Sequence, residues 1–136
     1  EIVSAANCSI EDIFRLYGET EFRKLEKKVI QRIFLGPQLV LATGGGAFMN
    51  KEIRHLIKEK GTAIWLRASL EVLVERTSRR RGRPLLDNGD TKTILKSLIN
   101  KRYPTYASAD IIVDTKNQPH QDMVKQIIES YSALEK

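Results

Sequence analysis

The 136 residues carry 23 lysines and arginines against 17 acids, a formal net charge of +6, with 41% hydrophobic residues and one cysteine. That hydrophobic content suffices for one domain with a real core and excludes a disordered or fibrous chain. Cys8 alone forbids an internal disulfide and fits a reducing compartment, no apolar run approaches the ~18 residues of a membrane span, and the surplus positive charge calls for an anionic partner: nucleic acid, an acidic membrane surface, a phosphate or a carboxylate.

In chain order, Ser9 predicts the cap of a short helix, with Asp12 at its third position and Ile10, Ile13 and Phe14 on one face. Gly18-Glu19 reads as a break. A longer helix follows over about 20–35, with Phe22, Leu25, Val29 and Ile33 three or four apart and Arg23, Lys24, Lys27 and Lys28 between them. Gly36-Pro37 stops it. The apolar run at 39–43 predicts a buried strand that leads into Gly44, Gly45 and Gly46. Asn50 caps a helix with Ile53, Leu56 and Ile57 inward and Gly61 at its end.

Residues 62–66 predict a second strand, and Ser69 starts a helix bearing Leu70, Leu73 and Val74. That helix runs into Arg76, Arg79, Arg80, Arg81 and Arg83, closed by Pro84. Thr91 is expected to cap a helix with Ile94, Leu95, Leu98 and Ile99. Residues 109–114 form the last predicted strand, and Pro119 suits the first turn of a terminal helix carrying Met123, Val124, Ile127 and Ile128. Strands alternating with helices predict an α/β fold, a parallel sheet with helices on its faces, in one domain over 1–136.

Three features carry chemistry. Three consecutive glycines at a strand end let the backbone come very close to something, and loops at such ends are where open α/β sheets bind ligands. Arg23 and Glu26, three residues apart on a helix, can pair locally or simply form a solvated face. Arg102 continues the inward face of Leu95, Leu98 and Ile99, where a guanidinium wants an anion such as a carboxylate or phosphate. The arginine run at 76–83 suits either a nucleic-acid patch or a lid over polyphosphate, although aromatic residues do not interleave with it.

Taken together, Gly18-Glu19-x-x-Phe22-Arg23-x-x-Glu26, Gly44-Gly45-Gly46, Arg83-Pro84-Leu85-Leu86, and Arg102-x-Pro104-x-Tyr106 followed by Ala109-Asp110 resemble the shikimate kinases over nearly the whole chain. The resemblance implies a nucleoside-monophosphate-kinase-like fold of the P-loop NTPase type. The activity it implies is transfer of the γ-phosphoryl of ATP, with Mg²⁺, to the 3-hydroxyl of shikimate on the way to chorismate and the aromatic amino acids. It assigns Arg23, Gly45, Gly46 and Arg102 to the substrate, Phe14 and Phe22 to apolar positions lining that site, and Glu26 to orienting its arginine. Arg83 is the expected catalytic residue, reaching the ATP phosphates from a lid over about 76–90. Arg76 is expected to pack on adenine, and Asn117, Gln118 and Pro119 to form the adenine loop, with residues 1–34 as the shikimate-binding region. The expected partner is the small molecule alone, in a cytoplasmic monomer without nucleic acid or membrane.

The departures from the family pattern are at the phosphates. No G-x-x-x-x-G-K-[ST] loop occurs in the chain, and the family's aspartate pair is also absent, so no metal ligand is assigned. Both belong to the N-terminal part of the family together with two strands, so the chain reads as the C-terminal part of such a kinase. Without those strands the 39–43 segment would not touch the 62–66 strand. The alternatives are a related small-molecule kinase of the gluconate type and a non-catalytic basic nucleic-acid-binding module.

Overall fold

The computed structural model describes residues 1–6, 9–78, 90–116 and 118–135. Helices α1 (Ile2–Ala6) and α2 (Ile10–Phe34) come first, then a 3₁₀ turn (Ala47–Met49) and α3 (Lys51–Lys60). Strand β1 (Ile64–Arg67), helices α4 (Leu70–Ser78) and α5 (Thr91–Tyr106), strand β2 (Ile111–Asp114) and α6 (His120–Glu135) complete the order.

Local chemistry sets most of the helix ends. The Ser9 side chain accepts from the Asp12 N–H, and the Asn50 side chain accepts from the N–H groups of Glu52 and Ile53, so both caps fall where the sequence places them. The Ser69 hydroxyl likewise accepts from the Val72 N–H at 3.3 Å. Two starts differ. Asp90, one residue earlier than Thr91, caps α5 through the Lys92 N–H, because an ionised carboxylate competes better than a hydroxyl for the same orphan amides. Pro119 sits just outside α6, its carbonyl accepting from the Asp122 N–H at 3.1 Å. The break at Gly18 is a kink inside α2: its φ of 83° and ψ of 172° separate two helical stretches, and a Cβ there would meet nothing within 4 Å. The kink is therefore a backbone requirement and not a packing one.

β1 and β2 pair in parallel, Ile64 opposite Ile111 through Arg67 opposite Asp114. Parallel neighbours require a crossover, and α4 and α5 supply it. One face of the pair buries Ile111 and Val113 against Met123 of α6, with Ile127 and Tyr131 packed alongside. On the side of Trp65 stands α5, with Tyr103 and Tyr106 stacked edge-on against the indole at centroid distances of 4.8 and 5.6 Å. Helices thus flank both faces, as the sequence predicts, although Ile64, Leu66 and Ile112 stay exposed. A second core joins Ile30 of α2, Ala47 and Ile53, with Phe34, Leu41, Leu56 and Ile57 around it. Each side chain buried this way contributes about 1.5–3 kcal/mol.

The strand expected at 39–43 does not form. That segment is irregular, Val40 is fully exposed and Leu39 is half exposed. Among the described residues nothing lies alongside to complete a ladder, and the sheet there has two strands. An apolar run becomes a strand only when a neighbour takes up its N–H and C=O groups. As expected, 39–43 does not pair with β1. Leu41 alone of the run packs inward, against the α2–α3 core. That contact fixes where the glycines after it emerge.

Candidate functional site

A cavity of about 370 Å³ opens where α2, the glycine loop and α5 meet. Glu19 and Arg23 line it from α2, Gly46 and Met49 from the loop and turn, and Ile94, Leu98, Lys101 and Arg102 from α5. The α5 residues are spaced four, three and one apart, the spacing that places side chains on one helix face. Arg102 therefore does continue an inward face, and it is half-buried.

Arg23 is held before any ligand arrives. Its Nη1 donates to Glu26 Oε1 at 2.9 Å, and its Nη2 reaches Glu19 Oε1 at 3.5 Å. The guanidinium carbon lies 5.0 Å from the Phe22 ring centroid. Glu26 is only 3% exposed, so its charge is carried by this pairing, since a buried carboxylate without a partner is costly. Its second oxygen faces Gly44, 3.6 Å from where a Cβ would be.

The glycines are required by space. A Cβ on Gly46 would stand 2.3 Å from the Arg23 guanidinium, and one on Gly45 would stand 2.7 Å from Arg102 Nη1 and 3.1 Å from the Tyr106 hydroxyl. Bare backbone thus lies pressed between two guanidinium groups. The Gly45 carbonyl accepts a hydrogen bond from the Tyr106 hydroxyl. Arg54 of α3 donates to the Phe48 carbonyl at 2.7 Å and braces the turn that follows.

Charge in the cavity is unbalanced. Arg23 has carboxylate partners, whereas Arg102 has none among the described residues. Lys101 beside it adds a further cation. A half-buried guanidinium without a carboxylate partner among the described residues, facing a cavity lined by Gly46, is suited to a carboxylate or another small oxyanion. Burial pushes the Tyr106 phenol above its ordinary range, and the Arg102 and Arg23 charges oppose that rise.

The structure brings Arg23, Gly45, Gly46, Glu26 and Arg102 together. Phe14 and Phe22 are not among the residues that line this cavity; their rings form a tilted pair at 4.8 Å, and Phe22 lies under the Arg23 guanidinium. A second group of predicted residues gathers elsewhere, at the carboxyl ends of the strands. Arg76 donates from Nη2 to the Lys116 carbonyl at 3.0 Å, and Gln118 Nε2 lies 2.8 Å from the Met123 sulfur. Pro119 follows at the start of α6. A shallow cavity of about 360 Å³ there includes Asp114, Lys116 and Gln118. Arg83 and Asn117 lie outside the described residues.

Sequence reasoning gave no role to Glu19, Lys101, Arg54 or Tyr106, although Glu19 and Tyr106 stand in the motifs that carry the resemblance. A signal existed for Tyr106: it stands four residues after Arg102, on the same face of α5. No local pattern marks Arg54, whose acceptor is a backbone carbonyl.

Known proteins resemble this chain in sequence and in fold. The shikimate kinase family model matches residues 1–132. A shikimate kinase of Paramagnetospirillum magneticum is 47% identical over 139 residues, covering 100% of this chain and 71% of its own. One of Brucella canis is 44% identical over 137 residues, and this chain spans 68% of its length. The solved shikimate kinase of Acinetobacter baumannii in complex with shikimate superposes with a TM-score of 0.93 at 30% identity, over 97% of this chain and 74% of that one. The Aquifex aeolicus enzyme gives a TM-score of 0.80 at 34% identity, over 96% and 76%.

Proposed function

This chain belongs to the shikimate kinase family, and from that premise we propose that it binds shikimate in the cavity between α2 and α5 and takes part in ATP-dependent phosphorylation of the shikimate 3-hydroxyl. The observation that carries the reading is the convergence of Arg23 and Arg102 on the bare backbone of Gly45 and Gly46. A small acid with ring hydroxyls matches this set. Its carboxylate neutralises Arg102 and takes the Arg23 donors not used by Glu26, while its hydroxyls meet the glycine backbone, which carries no side chain of its own.

In the reaction, an oxygen lone pair of the 3-hydroxyl attacks the γ-phosphorus, the bond from that phosphorus to the β–γ bridging oxygen breaks with ADP as the leaving group, and the hydroxyl proton is released to solvent water. The cavity residues act by holding the ring so that this hydroxyl is presented in one orientation, which lowers the entropic part of the barrier. Glu26 fixes the Arg23 fork, and Phe14 and Phe22 support it from behind. Arg83 from the 76–90 segment steadies charge on the transferring phosphoryl group. Arg76, Asn117, Gln118 and Pro119 form the adenine side; the contact of Arg76 with the Lys116 carbonyl is consistent with that role. Residues 1–34 form the shikimate-binding region.

Mg²⁺ is expected in this family. Among the described residues no group of three or more histidines, cysteines or acids converges to hold a metal ion. The described residues assign no Mg²⁺ ligand, and no step above depends on one.

Titration calorimetry with shikimate, paired with a coupled assay of ADP release, tests the reading. Saturable binding of one shikimate per chain, with gluconate silent, is expected. Binding of gluconate in preference to shikimate, or of neither, would overturn it.

A further inference from the structure

Tyr106 belongs to no assigned role, yet three independent features converge on it. Its hydroxyl donates to the Gly45 carbonyl, 61 residues away in the chain. The same hydroxyl lies within the influence of the Arg102 guanidinium, whose Nη1 occupies the space beside Gly45. Its ring is set among three others, Trp65 at 5.6 Å, Tyr103 at 6.0 Å and Phe48 at 6.2 Å between centroids. The ring stack leaves the phenol oxygen little freedom, so the hydrogen bond positions the loop and not the reverse.

The consequence follows from peptide geometry. No cis bond occurs among the described residues, so the Gly45 carbonyl and the Gly46 N–H point to opposite sides of one planar unit. Fixing the carbonyl on Tyr106 turns the Gly46 N–H away from it. Gly46, unlike Gly45, lines the cavity. Its N–H has no hydrogen-bond acceptor among the described residues. Glycines on both sides of that peptide bond make the unit free to rotate unless something outside it intervenes.

We propose that Tyr106 is a positioning residue that sets the plane of the Gly45–Gly46 peptide, so that the Gly46 N–H is offered as a preformed donor to an oxygen of the bound acid. This rests on the assignment of the cavity to shikimate. Tyr106 touches no substrate; it acts through the peptide and, by its proximity to Arg102, keeps that guanidinium and the peptide in register. Preorganised donors of this kind raise affinity because the ordering is done before binding.

Tyr106→Phe removes the hydroxyl and keeps the ring. Tyr103→Phe is the matched control: it deletes a hydroxyl that donates to the Ala68 carbonyl from the same aromatic cluster, away from the glycine loop. Shikimate binding is measured by calorimetry on the three proteins, and the Gly46 amide resonance is followed by ¹H–¹⁵N spectroscopy. The wild-type Gly46 proton is expected to move downfield on saturation with shikimate. Tyr106→Phe is expected to bind about tenfold more weakly, the worth of one well-placed hydrogen bond, with that downfield shift diminished, while Tyr103→Phe binds as wild type does. Equal weakening in both variants, or a full Gly46 shift in Tyr106→Phe, would overturn the proposal. Failure of the wild type to bind shikimate would instead defeat the substrate assignment on which it stands.

Discussion

Two guanidinium–carboxylate pairs in this chain have similar geometry and opposite settings. Arg23 and Glu26 meet at 2.9 Å with Glu26 buried to 3% exposure, beside a cavity. Arg67 and Asp114 join the carboxyl ends of β1 and β2 in a two-pronged contact at 2.5 and 2.9 Å, with side chains 44% and 58% exposed. By hydrogen-bond count the second pair is the better one. Water decides otherwise: an exposed pair trades solvent contacts for protein contacts at little net gain, whereas a buried carboxylate that loses its partner is left uncompensated. The buried pair therefore fixes a functional side chain, and the exposed one trims the end of a sheet.

The sharpest way to break this contrast is to displace the buried pair without touching either member. Gly46→Ala puts a methyl group 2.3 Å from the Arg23 guanidinium. The guanidinium must leave its position, and shikimate binding is expected to weaken on the order of 100-fold, roughly two charge-assisted hydrogen bonds. Calorimetry measures it; binding within a small factor of wild type would show that Arg23 need not lie over Gly46. Next in size is Glu26→Ala, which strips Arg23 of its buried partner. Because Arg23 keeps some solvent access, a loss of about 2–4 kcal/mol is expected, at the lower end for a broken buried pair, seen as a fall in thermal or urea midpoint.

Arg67→Ala should cost least. Its partner also titrates: hydrogen bonding from Arg67 holds the Asp114 carboxyl below its ordinary value of 3.8. A carboxyl lowered on folding adds stability that is complete above the unfolded pKa and disappears as pH falls through the lower folded one. Melting temperatures of wild type and Arg67→Ala should therefore differ slightly at neutral pH and coincide in strong acid, and the neutral difference should shrink in high salt. A difference that persists in strong acid would mean that Arg67 acts by packing on Trp65, 5.6 Å away, and not through the charge.

The same division between local and distant causes explains what could be read in advance. Ser9, Asn50 and Ser69 act within one helical turn, so their caps are visible in the residues themselves. The Arg23–Glu26 pair is equally local, three positions apart on α2, and the glycine triplet announces close approach by its composition. The 39–43 run looked like a strand because apolar patterning does not say whether a neighbour is present to pair with it. Tyr106 stands in a motif but received no role, because its partner is a carbonyl 61 residues upstream.

The central claim is that the cavity recognises a carboxylate through Arg102 and Arg23. Calorimetric titration of shikimate and of its methyl ester, into wild type and into Arg102→Ala, tests it most directly. Wild type is predicted to favour the acid over the ester by at least about tenfold, the worth of a charge-assisted contact, and Arg102→Ala is predicted to lose most of that preference. If wild type binds the ester as tightly as the acid, the guanidinium groups do not read a carboxylate and the account is wrong.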